Sequence, residues 1–267
     1  MKADFLRLIA GRCALGWAWL AIVVAMPSHA ATVLITGANS GIGLEFSQQY
    51  AAAGWTVIAT HHHERTPDTL AKLSAQYRNV RVETLDVTSA AQAHALAAKL
   101  KDVPIDVLIN NAGVFNDRGK WDTQNFRHLD YSLGDTIMAV NVKGPLIVSE
   151  AFVDLVKASA QKKIIAISST NGSLSLPTRN NGAIFYRSSK AALNRAMQLV
   201  AAELKPEGIT VVMLHPGAVR AERTPNTDNP EAVELPLSVK QMIATINALT
   251  PKDAGRFMRY DGETLPW

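Results

Sequence analysis

Two rhythms of apolar and polar positions take turns along this chain. Short runs rich in Val, Ile and Leu occupy residues 33–36, 55–60, 80–85, 105–109, 163–168, 209–214 and 256–260, and each reads as a β-strand, the last at a sheet edge. Between them lie stretches whose apolar residues recur every three or four positions. These predict helices over 41–53, closed by Gly54; over 67–77; from a Ser89 cap to 101; within 131–160; over 186–204, ended by Pro206 and Gly208; and over 237–249. Near-continuous apolar runs suit strands covered on both faces. Strand and helix alternating at short spacing mark βαβ units on a parallel sheet. The expected fold is α/β: one domain with a doubly wound parallel sheet of about seven strands and helices on both faces. Ligands of such a sheet bind beyond the carboxyl ends of its strands.

Composition supports one large domain. The 267 residues are 48% hydrophobic and 19% charged, enough for an ample core, and no repeat or linker divides them. The formal charge of +4 is concentrated at the start, where Lys2, Arg7 and Arg12 outweigh Asp4; the remainder carries 24 basic and 22 acidic residues. No basic stripe with interleaved aromatics appears, so nucleic acid is not an expected partner.

Residues 1–30 read as an export signal. A basic start precedes the apolar stretch 13–26, and Ser28-His29-Ala30 forms a small-x-small cleavage site. Fourteen apolar residues fall short of the roughly 20 that span a bilayer. The expected domain is then 31–267, exported to the periplasm. An uncleaved anchor holding the protein at a membrane, and a start placed too far upstream on a cytoplasmic protein, are the alternatives. Cys13 is the only cysteine and lies before the apolar stretch, so cysteine usage does not report the compartment.

The chemistry begins where the first strand ends, at Thr36-Gly37-Ala38-Asn39-Ser40-Gly41-Ile42-Gly43. Gly37 would permit a tight turn, Gly41 a close approach of backbone amides to a pyrophosphate, and Gly43 close packing of helix on sheet. Asn39, Ser40 and Ile42 complete this cradle, with the helix N-terminus facing the phosphates. An ordinary glycine loop is the plain rival. Asp86, with Val87 beside it, is placed to accept a hydrogen bond from an adenine amino group, or else to cap the helix after Thr88. Asn111, Ala112 and Gly113 end the fourth strand where the chain would pass close to a nucleotide and lock neighbouring strands, or form a plain turn.

Tyr186 and Lys190 stand one helical turn apart on one face. A phenol of pKa about 10 is a poor acid–base at neutral pH, and a nearby ammonium would lower it. Ser168-Ser169 closes the fifth strand, where a hydroxyl could steady an alkoxide; spacing alone does not choose between them. Asn141 interrupts a long helix in which Asn is a poor former, suggesting a water or carbonyl linked to Lys190, or a kink.

Together these motifs resemble the short-chain dehydrogenase/reductase family, over residue 32 to the C-terminus. The match is closest to its C-factor-like or sniffer-like carbonyl reductase branch, through Tyr186-Arg187-Ser188-Ser189-Lys190 and the ending Gly255 to Trp267. The resemblance implies a Rossmann-type fold, a catalytic tetrad at Asn141, Ser169, Tyr186 and Lys190, and NADP(H) or NAD(H) as cofactor. It also implies a nicotinamide-side turn at His215-Pro216-Gly217-Ala218-Val219, so that Pro216, Gly217 and Val219 join the cofactor residues. His62, with Arg65 near, stands where this branch often has Arg, which favours NADP. Two departures are Ala221, where Thr is common, and the seventeen positions between Ser169 and Tyr186.

The expected activity interconverts a small carbonyl and an alcohol, and relatives suggest a homodimer through the 131–160 and 186–204 helices. The alternative is a nucleotide-binding or signalling protein without turnover. A serine hydrolase is excluded, since Gly172-Ser173-Leu174-Ser175 is not G-x-S-x-G. Neighbouring histidines in 61–63 lack zinc spacing, so no metal is expected there; His94 and His128 read as surface positions. Segments 114–131, 174–185 and 220–236 read as pocket loops, with Phe115, Trp121 and Phe185 as apolar lining or core, and Arg220 and Arg223 as anion contacts or solvated charge.

Overall fold

A computed structural model describes residues 30–115, 123–177, 182–220 and 232–267. The apolar runs form β1 (Thr32–Ile35), β2 (Thr56–His61), β3 (Val80–Thr84), β4 (Val107–Asn110), β5 (Lys163–Ile167), β6 (Thr210–His215) and β9 (Phe257–Arg259). These seven strands make one sheet in the order β3-β2-β1-β4-β5-β6-β9, with every neighbouring pair parallel. From β1 the chain steps outward to β3, then returns to pair β4 with the other side of β1. That reversal opens a crevice at the carboxyl ends of β1 and β4.

Helices α1 (Gly41–Ala52), α2 (Asp68–Gln76), α3 (Ala90–Lys99), α4 (Tyr131–Met138), α5 (Gly144–Lys157), α6 (Ile184–Leu204) and α7 (Leu235–Ala248) cover the sheet. Successive strand residues point to opposite faces, so each face carries its own core. Val33 and Ile35 of β1 join Phe46 of α1 and Met242 of α7 on one side; Leu34 joins Phe152 of α5 and Met197 of α6 on the other. Both faces are dry, which explains strands without polar alternation.

Three details differ from expectation. The helix expected within 131–160 is broken by a π-helical turn at Ala139–Lys143, with Asn141 at its centre. The stretches read as a turn at 215–219 and a loop at 220–236 contribute β7 (Ala218–Arg220) and β8 (Ala232–Glu234), a small parallel pair running from Ala218↔Ala232 to Arg220↔Glu234. Three-residue strands with exposed ends carry too little apolar pattern to be read. Helix α6 begins at Ile184, two residues before the Tyr186 start that the sequence suggested. Residues 1–29, and with them the export signal, lie outside the described residues, as do Trp121, Ala221 and Arg223.

Opposite the crevice, buried Asp106 ties strands together: Oδ2 accepts from Thr32 N at 2.9 Å and Oδ1 from Gln161 N at 3.2 Å. Asp106→Ala strands both donors and should lower stability by about 2 kcal/mol, read as a reduced urea midpoint with unchanged slope.

Candidate active site

The turn from β1 to α1 is assembled from contacts that exclude side chains. Gly37 is left-handed (φ 63°), and a Cβ there would lie 2.9 Å from the Ala112 Cα. A Cβ on Gly43 would collide with the Gly37 carbonyl oxygen and Asn111 Nδ2, so α1 seats directly on the turn. Gly41 differs: nothing lies within 4 Å of its missing Cβ. Ser40 is the N-cap of α1 but makes no side-chain capping bond. The first-turn N–H groups therefore receive no cap from the Ser40 side chain, an arrangement suited to a pyrophosphate. Ile42 packs partly into the core, and the Asn39 carbonyl accepts from the Thr69 hydroxyl at 2.8 Å.

Thr36 joins the two lips of the crevice. Its hydroxyl oxygen accepts from Asn111 N (2.9 Å) and Ala112 N (3.0 Å), while Asn111 Nδ2 donates to Thr36 O (2.8 Å) and Gly37 O (3.2 Å). The strand-locking role read for Asn111 is present in these bonds. Asp86 Oδ1 accepts from Thr88 N and Thr88 Oγ1 at 2.9 and 2.7 Å, closing a tight turn. The helix cap that rivalled its ligand role belongs to Ser89, whose side chain accepts from Gln92 N. The Val87 side chain packs toward α5, where a Cβ on Gly144 would approach it to 2.9 Å.

At the end of β2, His61 is buried and burial holds its pKa below the usual 6.5, with His63 and His62 adding to the effect. His62 and His63 are exposed and stacked at 4.4 Å, and His63 Nε2 lies 3.4 Å from Asn39 Nδ2. His63, rather than His62, is thus the ring that touches the glycine turn.

The proton-transfer candidates converge where β5 ends. Ser168 Oγ donates to Asn194 Oδ1 at 2.5 Å and is spent in the core. Ser169 Oγ accepts from Asn171 N at 3.2 Å and is hydrogen-bonded to the Tyr186 phenol. Of the two hydroxyls, the one beside the phenol is thus that of Ser169. The following turn at Thr170–Gly172 presses against α6, where a Cβ on Gly172 would lie 2.6 Å from the Lys190 carbonyl carbon.

Lys190 Nζ lies 5.7 Å from the Tyr186 ring centroid and donates to Ile167 O at 2.9 Å. Burial pulls the ammonium down to about 8. The same burial pushes the phenol above its ordinary 10, only partly offset by the Ser169 hydrogen bond. The expected lowering of the phenol by Lys190 does not hold in this structure, because desolvation of the ring dominates.

Asn141 is held by the chain leaving β4: Oδ1 accepts from Val114 N and Nδ2 donates to Val114 O, both at 2.8 Å. Nδ2 also donates to Ser189 Oγ at 3.0 Å, and that hydroxyl donates to Tyr186 O at 2.7 Å. Among protein atoms Asn141 thus connects to Tyr186, where the sequence suggested Lys190. It still borders Lys190: a Cβ on Gly113 would lie 3.5 Å from Asn141 Oδ1 and 3.9 Å from Lys190 Nζ.

After β6, the Pro216 carbonyl accepts from Ser238 Oγ at 2.6 Å, and Gly217 (φ 83°) lies under the Tyr260 ring. Val219 belongs to β7. His215 is held near 4 by burial, then by Arg259 and Lys190, and its buried Nδ1 has no hydrogen-bond partner among the described residues. Arg220 is paired with Glu234 at 2.8 Å. Phe185 packs against Gly134 and Tyr131, whereas Phe115 meets the Tyr186 ring edge-on at 4.6 Å. Sequence reasoning gave no role to Thr36, Ser189 or Gln124. The first two lie inside quoted motifs, but nothing local marks Gln124.

The family model described as short chain dehydrogenase matches residues 31–232. The chain is 37% identical over 174 residues to the C-signal of Myxococcus xanthus, covering 65% of this chain and 99% of that one. Among solved structures, the NADPH-bound carbonyl reductase from chicken fatty liver superposes with a TM-score of 0.81 at 32% identity, covering 90% of this chain and 100% of that one. The carbonyl reductase Sniffer of D. melanogaster gives 0.79 at 27% identity over the same shares.

Burying Lys190 has a pH signature. Below about 8 both folded and unfolded chains hold its proton, so the cost of burying the charge is present in full. Between that value and the ordinary 10.5 the folded chain releases the proton first, and this cost falls as pH rises. Lys190→Met should therefore raise stability at pH 7, on the order of 2 kcal/mol. The gain should shrink toward alkaline pH in paired thermal melts.

Proposed function

This chain belongs to the short-chain dehydrogenase family, in its carbonyl reductase branch, and we propose that it interconverts a small carbonyl compound and an alcohol with Tyr186 as the proton carrier. It is an oxidoreductase with a nicotinamide cofactor, which when bound supplies or accepts the hydride. The observation carrying the proposal is the convergence of Ser169 and Lys190 on one half-buried phenol at the carboxyl ends of the strands.

The residues fit the cofactor. The open approach at Gly41 and the first-turn N–H groups of α1 would take the pyrophosphate, with Gly37, Asn39, Ser40, Ile42 and Gly43 shaping the turn. Asp86 and Val87 would meet the adenine, Asn111, Ala112 and Gly113 the middle of the dinucleotide, and Pro216, Gly217 and Val219 its nicotinamide side. NADP is the preferred form in this reading. The exposed segment after β2 carries His62, His63 and Arg65 beside a single carboxylate, Glu64, a set weighted toward a 2′-phosphate, and the chicken carbonyl reductase is NADPH-bound.

Ser169 donates a hydrogen bond to the substrate oxygen and, with Tyr186, steadies the charge that develops there. Tyr186 gives its proton to that oxygen during reduction and takes it back during oxidation. Burial holds the phenol above its ordinary 10, so it enters the reaction carrying the proton that reduction requires. Lys190 stands beside the ring as the group that restores the proton, and Asn141 holds Val114 and Ser189 in place around it.

The test uses the full chain with benzaldehyde, cyclohexanone and phenanthrenequinone, following NADPH consumption. Tyr186→Phe should cut turnover at least about 100-fold while NADPH binding stays intact. Binding of NADPH without turnover of any panel member would point instead to a nucleotide-binding or signalling role. His62→Asp should narrow the preference for NADPH over NADH, measured as the ratio of their dissociation constants.

A further inference from the structure

Helix α6 carries the acid–base phenol in its first turn, yet it lacks a cap of its own. Its N-cap is Ala183, which is left-handed (φ 58°, ψ 37°) and makes no side-chain bond to the helix. A left-handed non-glycine residue is costly and persists only where its surroundings hold it. The N–H groups that a cap would satisfy are met from a distant loop. The Gln124 main-chain carbonyl accepts from Ile184 N at 3.2 Å, and its side-chain Oε1 accepts from Tyr186 N at 2.9 Å. The next residue, Asn125, occupies the space where a Cβ on Gly182 would lie, so 124–125 form a seat for the entry to α6.

Gln124 is itself buried at 2% exposure, an unusual place for a glutamine unless its amide is fully used. Its Nε2 donates to the Phe115 carbonyl at 2.5 Å, and the Phe115 ring meets the Tyr186 ring edge-on. These bonds close a circuit. From Tyr186 N the path runs through Gln124 to Phe115, and along the chain to Val114. It continues through Asn141 and Ser189, and returns to Tyr186 O. Both backbone groups of the acid–base residue are thus clamped, and Gln124 is the one member that reaches the helix start.

We propose that Gln124 is a positioning residue for Tyr186, supplying from across the site the cap that α6 lacks and so fixing where the phenol meets the substrate oxygen. The inference rests on the acid–base role of Tyr186 given above. Gln124 does not touch the reacting atoms; it acts through Tyr186 N and Phe115 O. Among the described residues, the Lys190 ammonium lies 5.7 Å from the phenol ring centroid, and Ser169 is the phenol's hydrogen-bonding neighbour. A misplacement of order 1 Å at such a group can cost roughly 100-fold in rate.

Two variants of the full chain test this. Gln124→Met keeps the volume and removes both side-chain bonds. It should speed amide exchange across 184–187 and lower kcat for the best panel carbonyl roughly 10- to 100-fold, with NADPH affinity essentially unchanged. Gln124→Glu keeps an acceptor for Tyr186 N. It should recover part of kcat and, as an anion near the phenol, move the alkaline limb of the pH profile upward. Unchanged amide exchange at 184–187 in Gln124→Met overturns the inference whether or not turnover is measured. So does a kcat loss that merely tracks the folded fraction, with Gln124→Glu no better and the limb unmoved. Tyr186→Phe run alongside separates the two readings. If it retains turnover, the acid–base role fails and this inference with it; if it is inactive while Gln124→Met is unimpaired, only Gln124 is misassigned.

Discussion

A buried ammonium is held beside a half-buried phenol at the end of β5, and the surrounding structure is arranged around that burden. Lys190 is 6% exposed and loses part of its hold on its proton, while the ring beside it tightens its own. Desolvation carries the two pKa values past each other, the ammonium down from 10.5 to about 8 and the phenol up from 10, since it penalises the cation on one side and the anion on the other. Return of a proton from the ammonium to a phenolate is therefore more favourable here than in water, and the reverse transfer less so. The Ile167 carbonyl is the partner that makes the buried ammonium tolerable.

Closeness elsewhere serves the same end. At Gly172 the backbone after Ser169 leans on the backbone of α6, and at Gly37 and Gly43 the glycine turn leans on the chain leaving β4. Each contact admits no side chain, so relative positions are set by main-chain atoms rather than by rotamers. The Thr36 hydroxyl and the Asn111 amide then fix the crevice laterally. A rigid frame of this kind lets polar groups arrive aligned instead of spending ordering entropy at the moment of reaction.

Much of this was legible in the chain. Strand runs are buried on both faces and need no tertiary knowledge to recognise, and Gly37, Gly41 and Gly43 announce a turn whose backbone demands only glycine meets. Tyr186 and Lys190 are readable because helical spacing puts them on one face. What escaped reading was set by contacts distant in sequence. Gln124 lies 62 positions from Tyr186 N, and no local pattern distinguishes it from a surface glutamine. The pairing of β7 with β8 depends on two three-residue pieces meeting in space. The direction of the Tyr186 shift follows from desolvation of the phenol by its packed surroundings, which residue spacing does not report. The serine pair shows the boundary clearly: sequence offers two hydroxyls, and only Asn194 in the core reveals which one is spent.

The π-helical turn at Ala139–Lys143 has a geometric consequence for the outer surface of the molecule. A π turn behaves as one extra residue in an otherwise regular helix, and one residue is worth about 100° of rotation. Everything from Gly144 onward is therefore out of phase with Tyr131–Met138 by that angle. A helical wheel drawn straight through 131–157 would assign the solvent-facing stripe of α5 to the wrong side. Any contact between two copies of this chain along that helix has to be mapped with α4 and α5 indexed separately.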